Sequence, residues 1–117
     1  MENERRRNYE RKDSLNLIDY VVLGEKGEPV TRRMGRTLNV SEGGILLETH
    51  IALKEGRRVE LTIALEEDMV ELKGHVRHVK PSLEKGYCSG IQFIEMDEEG
   101  KRVLIRYVEA LKTAKAV

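Results

Sequence analysis

Over residues 59–66, Val59, Leu61, Ile63 and Leu65 alternate with Glu60, Thr62, Ala64 and Glu66, the period of two that a strand shows when one face is buried. Residues 70–77 repeat the pattern, with Val70, Leu72, Gly74 and Val76 set against Glu71, Lys73, His75 and Arg77. Upstream, residues 15–23 are apolar and rich in β-branched side chains, and they end at Gly24 and the cluster Gly27, Glu28, Pro29. That reads as a first strand. Residues 35–40 and 45–50 flank Ser41, Glu42, Gly43 and Gly44. Two glycines readily take positive φ, so a hairpin is expected there. After 81–86, a last strand carries Ile91 and Phe93 on one face, with Gly90 where a second backbone is expected to come close. Six strands with short connections predict an all-β-dominated fold, an antiparallel sheet closed into a six-stranded barrel.

The period then changes. Val103, Leu104, Tyr107, Val108 and Leu111 fall at helical spacing behind Asp97 as N-cap, with Glu98 and Glu99 in the first turn, which predicts one C-terminal helix over about 97–113. Its apolar stripe must cover something, and an open end of the barrel is the expected place. Residues 1–14 are of another kind: eleven charged or amide side chains and one aromatic, Tyr9, too polar to bury themselves and expected to be mobile without a partner. The chain thus divides into a flexible segment, 1–14, and a folded domain, 15–117.

A length of 117 residues suits one domain with one core. Charge narrows the partners: 21 basic residues balance 21 acidic ones, whereas a nonspecific nucleic-acid binder carries a basic excess. Yet Arg5, Arg6, Arg7, Arg11 and Lys12 crowd one end, so a local anion site is compatible with overall neutrality. Cys88 is the one cysteine; no intramolecular disulfide can form, and a reducing cytoplasm is the expected compartment. Neither an export signal nor a stretch approaching the ~18 apolar residues of a membrane span is present.

Two separated pieces carry the candidate chemistry. Arg6, Arg7 and Arg11 offer guanidinium forks; Asn39, Ser41 and Gly44 offer small polar groups and a bare backbone at a strand connection. Arginine pairs bidentately with phosphate and with the O6/N7 edge of guanine, so the two pieces together suit an anionic ligand carrying guanines. By alternation Asn39 and Ser41 share one face of their strand while Leu38 and Val40 point into the core. Neither piece lies in the core, so removing either is expected to abolish binding and spare the fold.

The spacing Arg-Arg-x-x-x-Arg followed by Asn-x-Ser-x-x-Gly, with Gly90, Ile91, Gln92 and Phe93 as a Gly-x-x-Phe in the last strand, resembles the paired signature of the PilZ domain family of cyclic di-GMP receptors. The resemblance implies that Arg6, Arg7 and Arg11 grip phosphates and guanines of cyclic di-GMP, and that Asn39, Ser41 and Gly44 hold a guanine from the barrel side. It further implies that the N-terminal segment is a switch, loose when empty and folded over the ligand when occupied. Arg6, directly before Arg-x-x-x-Arg, implies an intercalated ligand dimer. With no appended domain, the chain is expected to act as a stand-alone adaptor read by a downstream protein the sequence does not name; homodimerisation stays open.

Catalysis is not expected. His75 and His78, three apart, should fall on opposite faces of a strand and make poor joint metal ligands. Cys88 has no activating partner, and the carboxylates of 66–68 and 97–99 are a turn and a helix start. No cofactor or metal is expected. Two alternatives compete with the cyclic di-GMP reading: a small barrel binding RNA or single-stranded nucleic acid through its basic arm, and a PilZ-like interaction module that binds no nucleotide. One Phe, four Tyr and no Trp leave the first without a stacking platform.

Overall fold

The structure, a computed structural model, describes residues 15–82 and 85–116. Six strands follow one another: β1 (Leu17–Leu23), β2 (Pro29–Val40), β3 (Gly44–Thr49), β4 (Arg58–Leu65), β5 (Asp68–Pro81) and β6 (Tyr87–Ile94), then a helix α1 (Glu98–Ala116). Every pairing is antiparallel. The strands close into a barrel in the order β1-β2-β3-β6-β5-β4, the six-stranded antiparallel closure that the sequence predicts.

In β4 the alternation is kept throughout: Val59, Leu61, Ile63 and Leu65 are buried while their neighbours are exposed or half-buried. Each fully buried aliphatic side chain contributes about 1.5–3 kcal/mol, so a one-residue slip of this strand would forfeit the whole set. β2 and β5 run longer than their alternation alone predicts, 12 and 14 residues, because charged outward positions such as Arg32, Arg33 and Lys80 continue the ladders beyond the apolar stretch.

Helix α1 begins where expected and runs three residues further. Asp97 Oδ1 accepts the Gly100 N–H at 2.7 Å, the N-cap bond that satisfies an orphan donor of the first turn. Val103, Leu104, Tyr107, Val108 and Leu111 are buried in one cluster with the barrel core, and the helix packs on β4 and β5. Arg106 reaches Asp68 and Glu66 in the β4–β5 turn, which pins the exposed side of the helix to the same pair of strands.

Two irregularities, one in β2 and one in β5, matter for the outer face. In β2 the register with β3 moves from Thr37↔Leu47 to Asn39↔Leu46, so Leu38 is the extra residue of a bulge. In β5 the register with β6 moves from Val76↔Ile91 to His78↔Gly90, so Arg77 is extra. An extra residue interrupts a ladder and re-aims the side chains beyond it. Thr37 is therefore buried, Asn39 exposed, and Val40 packed against the core. Leu38, expected to point inward with Val40, is the half-buried bulge residue, and Thr37 takes the inward place. For the same reason His75 and His78 are not on opposite faces: Gly74 and Val76 are buried, His75 faces outward between them, and the bulge turns His78 outward too.

Candidate functional site

The bulges bracket one ladder row. Asn39, Leu46, Gly90 and His78 are consecutive partners across β2, β3, β6 and β5, and the row faces outward. Gly90 and, two rows on, Gly44 add no side chain to its floor; the His78 ring lies over the first and the Ile91 carbonyl oxygen stands beside the second. The result is a concavity of about 280 Å3 with Asn39 and Ser41 at one side and Arg77, His78 and Gln92 at the other.

Local hydrogen bonds shape the first side. The Ser41 N–H donates to the Gly44 carbonyl at 2.9 Å and the Phe93 N–H to the Gly43 carbonyl at 3.0 Å, tying the turn to β6. Ser41 Oγ accepts the Gly43 N–H at 3.3 Å, and Asn39 Oδ1 accepts the Val40 N–H at 2.9 Å. Oδ1 keeps a second lone pair, and neither Nδ2 proton is committed to a described residue, so the amide faces the concavity with both donors and an acceptor. Neither glycine of the turn takes positive φ; among the described glycines that conformation belongs to Gly27, Gly56 and Gly86. Gly44 is needed for a different reason: a Cβ there would stand 2.5 Å from the Ile91 carbonyl oxygen. Gly90 meets not a second backbone but the His78 ring, whose Cε1 would lie 2.1 Å from an added Cβ.

Behind this face, Tyr107 fixes two points from inside. Its hydroxyl donates to the Leu15 carbonyl at 2.5 Å and lies 3.0 Å from Thr37 Oγ1. With its one proton spent on Leu15, it must accept from Thr37. Burial pushes the Tyr107 hydroxyl above its ordinary value of 10.0, opposed by the Thr37 bond, which favours the ionised form. Helix α1 therefore holds both the residue that comes directly after the 1–14 segment and Thr37, the last inward position of β2 before the bulge at Leu38.

Of the six residues singled out from sequence, Asn39, Ser41 and Gly44 are brought together at one concavity. Arg6, Arg7 and Arg11 lie outside the described residues. Sequence reasoning missed Arg77, His78 and Gln92; simple alternation sets Arg77 outward and His78 inward, and no residue type announces the bulge. Among the described residues, no cluster of three or more His, Cys, Asp or Glu side chains is placed to hold a metal, and no helix is long and apolar enough to cross a membrane.

No curated protein sequence matches the chain. Solved structures do. The PilZ domain of CeSA from a cellulose-synthesizing bacterium is 17% identical with a TM-score of 0.59, over 82% of this chain and 93% of that one. The PilZ domain of YcgR from Escherichia coli, solved with c-di-GMP, is 15% identical with a TM-score of 0.62, over 85% and 84%. MrkH of K. pneumonia in its apo state is 17% identical with a TM-score of 0.64, over 86% of this chain and 47% of that one; the chain spans about half of MrkH. At these identities the likeness is one of fold. The PilZ domain family model matches residues 5–110, and the chain belongs to the PilZ domain family.

Proposed function

We propose that this protein is a cyclic di-GMP receptor whose ligand lies on the outer face of the barrel, held by Asn39, Ser41 and Gly44 from the wall and by Arg6, Arg7 and Arg11 from the N-terminal segment. The observation that carries the reading is the placement of Asn39, Ser41 and Gly44 together at one concavity that, among the described residues, is lined by no carboxylate. YcgR and MrkH, which share the fold, have been solved with c-di-GMP. Each charge-assisted hydrogen bond from an arginine is worth about 1.5–3 kcal/mol, so a few of them offset the cost of ordering a polar segment and reach micromolar affinity, about −8.2 kcal/mol.

In this reading residues 1–14 act as the switch that closes on the ligand and 15–117 as the rigid domain. Occupancy is converted into a new surface for a downstream protein. The chain performs no catalysis and works in the cytoplasm. Arg6 favours two intercalated ligand molecules over one.

Titration calorimetry with cyclic di-GMP tests this. Binding at micromolar affinity or tighter is expected, abolished in Arg7→Ala and in Arg11→Ala, with more than one ligand per chain falling to one in Arg6→Ala. Absence of heat from the wild-type chain, or a mobility shift of single-stranded RNA in place of it, would overturn the reading.

A further inference from the structure

The side of the concavity facing Asn39 and Ser41 is built by an irregularity of β5. Up to Val76 the strand alternates regularly, Leu72, Gly74 and Val76 inward. Arg77 is then inserted without a partner in β6, and His78 resumes the ladder opposite Gly90. Two consecutive side chains, Arg77 and His78, are exposed as a result and both line the concavity, where a regular strand would send one of them into the core. Bulges of this kind recur beside binding sites because they re-aim a side chain at the expense of a ladder hydrogen bond.

The two side chains bring complementary chemistry. Among the described residues that line the concavity, Arg77 is the one charged side chain, and it forms no ion pair with a carboxylate of the described residues, unlike Lys73, Arg102, Arg106 and Lys112. A guanidinium fork that pairs with no described carboxylate is suited to two oxygens of one phosphate. His78 lies with its ring over Gly90, where an added Cβ would be 2.1 to 2.6 Å from Cε1, Nε2 and Nδ1. The ring is thus supported from beneath by backbone and presents its other face outward, a platform of the sort on which nucleobases stack.

We infer that Arg77 and His78 form a second fixed wall of the dinucleotide pocket, Arg77 pairing with a phosphate and His78 stacking on a purine. The inference rests on the cyclic di-GMP reading and adds to it two residues on β5, far in sequence from both recognised motifs.

Calorimetric titration of cyclic di-GMP into Arg77→Ala, Arg77→Lys, His78→Ala and His78→Phe decides it, with circular dichroism confirming that each variant is folded. Arg77→Ala is expected to weaken binding about tenfold or more, the scale of one charge-assisted bond, and Arg77→Lys, which keeps the charge but not the fork, to fall between it and wild type. His78→Phe keeps a flat ring and should bind far better than His78→Ala. If Arg77→Ala and His78→Ala bind as wild type does while Arg7→Ala does not bind, the second wall is wrong and the receptor reading stands. If His78→Phe is as weak as His78→Ala, stacking is wrong. If the wild-type chain itself does not bind, both readings fall.

Discussion

Gly44 stands in both the candidate site and the fold, and the two roles separate experimentally. Its missing Cβ makes room for the Ile91 carbonyl oxygen, so Gly44→Ala must push β3 from β6 or tilt the turn. The cost expected is that of overpacking, about 1–3 kcal/mol, read as a lower urea midpoint with no ligand present. Ser41→Ala, at an exposed position whose hydroxyl accepts one 3.3 Å turn bond, should leave that midpoint nearly unchanged. The expectation that the whole turn motif can be removed without touching the fold therefore fails at Gly44. The sequence displays a glycine there in any case; what it hides is that the glycine answers to β6 rather than to positive φ.

Among the elements, β4 and α1 are legible almost to their ends because one physical rule governs each: one buried face, one period. The long strands β2 and β5 are not, because in each an extra residue beside the concavity resets the alternation, and neither Leu38 nor Arg77 is of a type that marks a bulge. That one misreading put Leu38 in the core and set His75 and His78 on opposite faces. It also concealed half of the concavity. A deletion tests the point. Removing Arg77 leaves Val76 opposite Ile91 and His78 opposite Gly90 in a regular ladder, so stability should change by no more than about 1 kcal/mol. Removing Thr62, an outward residue of the regular β4, turns every later side chain of the strand to the wrong face and should unfold the chain. Urea denaturation monitored by circular dichroism distinguishes the two.

At the scale of the molecule, Tyr107 and Tyr20 give the closed barrel a dependence on pH. Burial raises both hydroxyls above 10.0, with Arg33 opposing the shift at Tyr20 and the Thr37 bond opposing it at Tyr107. Above pH 10.0 the unfolded chain loses these protons more readily than the folded one, so the folded state binds more protons and stability falls as pH rises. The contribution is complete below 10.0 and is lost as pH climbs towards the raised folded values. Urea midpoints measured from pH 8 to about 11 should fall past 10, and Tyr107→Phe should blunt that fall while lowering stability at neutral pH by about 1–3 kcal/mol, since it strands the Leu15 carbonyl and the Thr37 hydroxyl.

The row from Asn39 through Leu46 and Gly90 to His78 crosses three strand spacings, about 14 Å measured along the sheet. Every strand in the row is hydrogen-bonded on both sides in a closed barrel, so neither end can slide towards the other. The face is a ruler. His78 leans its ring back over Gly90, so a guest that touches both ends must bridge about two of those spacings, roughly 10 Å, and one that is shorter has to choose an end; molecular length, before any hydrogen bond is counted, decides which guests can engage both.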